Sequence, residues 1–168
     1  MSDTKSVSVS EIFSFQRPEQ KPRTKNQLWI KDVGYDEAPW YSERMGLLEL
    51  EDFLEVAGER IDYVKIATTQ VLGHPENWLK RKIALYQKHS IQPYLDHGYF
   101  LRAFRLGVVD EAIEAGAALG FSVMEFMNTF GDVSEKQWKK WRHRALDHGM
   151  KIIYELLPES GWRNNAKN

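Results

Sequence analysis

Ile61-Asp62-Tyr63-Val64-Lys65-Ile66, residues 61–66, is a short run rich in β-branched and aromatic side chains. A run of that composition reads as a strand. Upstream, Leu50, Phe53, Leu54 and Ala57 recur at i, i+3, i+4, i+7, which is one face of a helix, and Gly58 is a stop signal. Downstream, Pro75 suits the first turn of a second helix that sets Leu79, Ile83 and Tyr86 on one face. The same alternation continues in both directions. Further apolar runs stand at Leu28-Trp29-Ile30, Ile91 to Asp96, Phe121 to Phe126 and Ile152 to Leu157. Helical spacing recurs at Phe100, Leu101, Phe104 and at Val109, Ala112, Ile113, Gly116. Ser134 with Gln137 forms a capping-box pattern opening a last helix, which Gly149 closes. Strand and helix in turn predict a parallel α/β sheet, with strands near 27–32, 61–67, 91–96, 121–127 and 151–157 in the order 1-2-3-4-5.

The polar residues near the strand ends are Asp32, Lys65, Asp96, Glu125 and Glu155. They are separated by 33, 31, 29 and 30 residues, one βα unit per step. Loops at the carboxyl ends of parallel strands build the sites of such folds, so these groups are expected at one mouth. The plainer alternative is that charges mark where strands meet water. Residues 1–26 are polar, with Pro18, Pro22 and the cations Lys21, Arg23 and Lys25, and read as an irregular lead-in to a single domain over 27–168.

The whole chain has 168 residues, 42% of them apolar and 28% charged, which supports a real core and excludes a disordered chain. The net charge of −1 argues against a protein built to hold the phosphate backbone. With no cysteine there is no disulfide, thiolate metal site or cysteine nucleophile. No membrane span or leader is legible, and a soluble cytoplasmic protein is expected. The helix at 134–148 carries Lys136, Lys139, Lys140, Arg142 and Arg144 with Trp138 and Trp141. Cations with aromatics can bind nucleic acid. Here the two Trp share a face with Ala145, so they are expected on the sheet with the cations in solvent, and no nucleic-acid partner is expected.

Two carboxylates from adjacent strand ends, Glu125 and Glu155, suit a hard divalent cation, Mg²⁺ or Mn²⁺, with Asp32 or Asp96 as a third oxygen donor. Lys65 stands inside an apolar strand. It is either a partly desolvated group for acid–base work or anion binding, or the partner of a neighbouring strand's carboxylate. His97, between Asp96 and Gly98, is a candidate ligand or proton carrier. There is no Gly-rich phosphate loop, nucleophile elbow or His-Glu-x-x-His helix.

Several of these residues, with others in register, resemble the phosphosulfolactate synthase family. They are Lys21 to Lys25 (KPRTK), Ile61 to Lys65, Lys80 to Ile83 leading to Tyr86, and Leu119-Gly120-Phe121 with Glu125. The resemblance runs from about Lys21 to Glu155. It implies a (β/α)₈ TIM-type barrel, Mg²⁺, and addition of sulfite to phosphoenolpyruvate in coenzyme M biosynthesis, with small anionic substrates as partners. It further implies that Asp32, Lys65, Glu125 and Glu155 hold family positions; with His97, proposed on its chemistry alone, Asp32 and Lys65 are the expected catalytic residues. The Lys that the family carries after strand five is Pro158 here. An eight-unit barrel needs about 250 residues, so about five of the eight βα units are expected, as a fragment or an open piece able to self-associate. The alternative within the family is a catalytically lapsed relative that serves in binding or assembly.

Overall fold

The computed structural model describes residues 19–32, 45–127 and 133–155. Strands β1 (Trp29–Asp32), β2 (Tyr63–Ile66), β3 (Gln92–Leu95), β4 (Val123–Met127) and β5 (Lys151–Glu155) form one sheet. They pair in parallel in the order β1-β2-β3-β4-β5. An order without a switch point is that of a (β/α) barrel and not of a doubly wound sheet. The chain thus supplies an incomplete barrel of five βα-type units, as the spacing of the apolar runs predicts. Helix α1 (Leu47–Ala57) joins β1 to β2. Helices α2 (Thr68–Gly73) and α3 (Glu76–Lys88) lie between β2 and β3, and α4 (His97–Leu106) and α5 (Val109–Leu119) between β3 and β4. Helix α6 (Glu135–Asp147) precedes β5.

The helix ends follow the sequence signals with small shifts. Pro75 is the N-cap of α3 and not its first helical residue. The Ser134 hydroxyl accepts the Gln137 N–H at 3.2 Å, as the capping pattern predicts. Gly58 ends α1 but leads into a 3₁₀ turn, Gly58–Arg60. Phe53, expected on the buried face of α1, is 36% exposed, while Leu50 and Leu54 carry that face.

Register decides which side chains meet. Asp32, Ile66, Leu95, Met124 and Ile152 lie side by side across the five strands. Successive side chains alternate between faces, so this row points one way and its neighbours the other. Ile66, Leu95 and Met124 pack into the core beneath the helices. Phe126, two residues on from Met124, joins Phe100 of α4 and Trp138 of α6 in an aromatic stack, with Trp141 edge-on to Phe100. The Trp pair of α6 therefore packs inward, as its spacing with Ala145 predicts.

The lead-in is anchored. The buried Arg23 guanidinium forks onto Asp62, with Nε 3.0 Å from Oδ1 and a terminal nitrogen 3.0 Å from Oδ2. It also donates to the carbonyls of Glu19 and Glu59. Lys21 donates to the carbonyls of Gly58 and His89. Residues without helix or strand thus satisfy the turn that feeds β2.

Candidate active site

Lys65, Glu125 and Glu155 all lie an odd number of residues from the row that contains Asp32, once the strands are placed in register. They therefore share the face opposite the helices. On that face Lys65 Nζ is 2.7 Å from Glu125 Oε2, so a β2 cation reaches past β3 to a β4 carboxylate. The ion pair foreseen as one reading of Lys65 is present. His97, the first residue of α4, brings two groups. Its backbone N–H donates to Glu125 Oε2 at 3.0 Å, and its ring Nδ1 lies 3.2 Å from the same oxygen. Nδ1 is also 2.6 Å from Glu155 Oε2. That second contact is a close approach of charge without hydrogen-bond alignment, because Glu155 Oε2 is a buried oxygen with no hydrogen-bond partner.

Asp96 caps α4. Its Oδ1 accepts the Gly98 N–H at 2.6 Å and the Thr68 hydroxyl at 2.8 Å. Residue 98 must be small: a Cβ there would stand 2.8 Å from both Asp96 Oδ1 and Thr68 Oγ1. Asp96, His97 and Glu125 bring ligand atoms within 4.8 Å of one another, an acidic cluster with the donor set of a metal site. Hard oxygen donors of this kind suit a small divalent cation. Two carboxylates and an imidazole fit such an ion, and Glu155, whose Oε2 is 2.6 Å from His97 Nδ1, stands beside this group without belonging to it.

The electrostatics follow from this crowding. Burial raises the Glu125 pKa, but hydrogen bonds from His97 and Lys65 and the charge of Lys65 outweigh it, holding the carboxyl below its usual range. The hydrogen bond to Glu125 raises His97, against burial, with Asp96 and Glu155 adding their charge. Tyr94, whose ring centre is 5.8 Å from Lys65 Nζ, is pushed well up by burial and then by Glu125, Asp96 and Glu155. The result is a mouth holding three carboxylates, one ammonium and an imidazole that favours its proton.

Asp32 is not part of this group. One residue out of phase with the others, it points into the helix layer. There Lys82 Nζ is 2.6 Å and Tyr86 Oη 2.7 Å from its Oδ2, and Gln70 donates to its Oδ1. The expectation of a catalytic or metal-binding Asp32 is corrected on this ground: a near-regular spacing of about 30 residues tolerates a slip of one, and one residue reverses the face. Pro158 lies outside the described residues. Thr68 and Tyr94 were not foreseen. Tyr94 stands beside Lys65 in register, a signal available only once the strands are paired. A depression of about 480 Å³ in the outer helix layer, walled by Phe104, Val109 and Trp141, lies apart from this cluster.

Residues 16–167 match the family described as (2R)-phospho-3-sulfolactate synthase (ComA). This chain belongs to that family. Phosphosulfolactate synthase from Methanocaldococcus jannaschii is 30% identical over 107 residues, 64% of this chain and 43% of the relative. The enzyme of the same name from Methanothermobacter thermautotrophicus is 23% identical over 146 residues, 86% of this chain and 53% of the relative. The chain thus spans about half the length of the phosphosulfolactate synthases it matches. A debranching enzyme from Nostoc punctiforme superposes with a TM-score of 0.51 at 10% identity, over 81% of this chain and 49% of that one, which is a likeness of fold alone. Among the described residues no helix is long and apolar enough to cross a membrane.

Proposed function

We propose that this chain carries the reaction centre of a phosphosulfolactate synthase-type lyase, joining sulfite to phosphoenolpyruvate with Mg²⁺ or Mn²⁺. The observation that carries this reading is the meeting of Lys65, His97, Glu125 and Glu155, from three strands and a helix start, at the carboxyl ends of parallel strands. Glu125 and Glu155, with Asp96 as a third donor, would hold the cation, which supplies charge stabilisation to an anion developing on the substrate carboxylate. The Lys65 ammonium binds and orients an anionic substrate over the Tyr94 ring. Sulfite sulfur bonds to the methylene carbon of phosphoenolpyruvate, and the π pair of the double bond moves toward C2 and the carboxylate. His97, whose proton its acidic neighbours retain, then delivers it to C2. The phosphate ester stays intact.

Titrate Mn²⁺ calorimetrically into the parent, Glu125→Gln and Glu155→Gln, and follow phosphosulfolactate formation from phosphoenolpyruvate and sulfite by phosphorus NMR. The expected result is metal binding in the parent, at least about tenfold weaker in each variant. Metal-dependent product is expected at a rate about 10²–10⁴-fold below that of relatives that keep the Lys at the position of Pro158. Equal metal binding in all three proteins removes the metal from this reading. Binding without any product returns the protein to the catalytically lapsed reading.

A further inference from the structure

The end of β2 meets the mouth in two places. Lys65 reaches Glu125 directly. Three residues on, at the first position of α2, the Thr68 hydroxyl donates to Asp96 Oδ1 at 2.8 Å. Asp96 caps α4, α4 begins at His97, and the His97 N–H and ring Nδ1 return to Glu125 Oε2. The contacts therefore close a circuit through β2, β3 and β4. Lys65, Asp96, His97 and Glu125 each bring a charge or a ligand atom to it, whereas Thr68 brings a hydrogen bond. Such a bond is not automatic at this turn: the neighbouring Thr69 Oγ1 is buried with no hydrogen-bond partner.

Asp96 is 4% exposed, and Oδ1 takes both the Thr68 hydroxyl and the Gly98 N–H. Gly98 also confines the pair, since a Cβ there would stand 2.8 Å from each of their oxygens. A carboxylate oxygen has two lone pairs, so two donors on Oδ1 fix the plane of the group and leave Oδ2 for a cation. We propose that Thr68 is a positioning residue of the candidate metal centre: its hydroxyl holds Asp96 in ligating orientation and, through the α4 cap, keeps His97 seated on Glu125. This inference rests on the metal reading of the mouth. Groups hydrogen-bonded behind a ligating carboxylate hold it in place, and their loss typically weakens metal binding by about 10–100-fold. Without the Thr68 hydroxyl, Asp96 keeps the Gly98 donor alone and its plane can turn about that one bond.

The test uses three variants of the 168-residue chain. Thr68→Val keeps the size and removes the hydroxyl, Thr68→Ser keeps the hydroxyl, and Thr69→Val removes a hydroxyl without a partner. Titration calorimetry reads Mn²⁺ affinity, and NMR reads amide hydrogen exchange in the metal-free protein. Thr68→Val is expected to bind Mn²⁺ about tenfold or more weakly than the parent. Its His97 and Gly98 amides are expected to exchange faster, with those of β2 and β4 unchanged. Thr68→Ser and Thr69→Val are expected to match the parent in both readouts. A hydroxyl with a merely structural role would instead loosen the sheet as a unit. Four results overturn the proposal and leave the metal reading standing: equal Mn²⁺ affinity in the parent and Thr68→Val, a Thr68→Ser or Thr69→Val as weak as Thr68→Val, Gly98 exchange indifferent to Thr68→Val, or faster exchange spread through the sheet. A parent that binds no Mn²⁺ overturns the metal reading itself, and this proposal with it.

Discussion

The same sheet carries ionic groups on both faces, and the two sets behave differently. Beneath the helices, Asp32 meets Lys82, Tyr86 and Gln70, with Asp32 and Lys82 side chains each 1% exposed. The carboxylate is matched by a cation and two neutral donors, and Lys82 also donates to Gln70 Oε1 and the Met45 carbonyl. Burial pushes the Lys82 pKa down against the pull of Asp32, and pushes the Tyr86 hydroxyl far up. On the opposite face Glu125 and Glu155 share one ammonium and one imidazole, Asp96 stands by, and a Glu155 oxygen is left without a hydrogen bond. A satisfied network can only hold. An unbalanced one with an open side can take a ligand. One residue of strand phase separates the two fates.

The largest expected effect breaks the closed network. Asp32→Ala leaves the buried Lys82 charge without its partner and should cost about 3–5 kcal/mol in urea unfolding. The double variant Asp32→Asn/Lys82→Met should lose less than either single change, since no charge then stays buried alone. If Asp32→Ala were neutral, the two faces would not differ in the way described. On the open face, Glu125→Gln should cost about 1–3 kcal/mol, less than Asp32→Ala, while abolishing most Mn²⁺ binding. A stability loss equal to that of Asp32→Ala would mean that the mouth, too, is chiefly structural.

Acidity sharpens the comparison further. The Glu125 pKa is held below the ordinary carboxyl value of 4.5, so its contribution is present above that value and lost as pH falls through the lowered pKa. The His97 pKa is raised above 6.5, so its contribution is complete below that value and lost as pH rises through the raised pKa. Urea midpoints across a pH series should therefore show a plateau between two falling limbs. Glu125→Gln should flatten the acid limb and shrink the alkaline one, because it removes the hydrogen bond that does most to raise His97. Unchanged limbs would detach both groups from the stability of the fold. Least of all, Lys139→Ala should change stability by no more than about 0.5 kcal/mol, because its pair with Glu135 is largely in solvent.

Much of the architecture is legible in sequence because strand composition and helical spacing are local properties. The run at 61–66, the Leu50–Leu54 face and the Ser134 cap each report on a few neighbouring residues. Phase across strands is not local. Asp32 and Lys65 look equivalent by distance along the chain, and only the pairing of Lys31 with Lys65 shows that Asp32 faces the other way. The same limit hid the partners. Lys82 reads as one more cation in Lys80-Arg81-Lys82, yet it is the member of that trio buried against the sheet. His97 was legible as chemistry, but its place between Glu125 and Glu155 depends on where α4 begins, which Asp96 sets by capping it.

Arg23 gives the segment before β1 an unusual kind of persistence. Trypsin recognises a cation in an extended, accessible chain, and with Lys21 shielded by the Pro22 that follows it, Arg23 and Lys25 are the two cations to consider in this stretch without helix or strand. For Arg23 to enter a protease it must leave Asp62, Glu19 and Glu59 together, and Asp62 also holds the Leu28 N–H that leads into β1. Cutting after Arg23 is thus tied to unseating the first strand, whereas the exposed Lys25 can be reached without disturbing that clamp. A limited digest therefore reports by which of these two bonds yields first whether the edge of the sheet has opened.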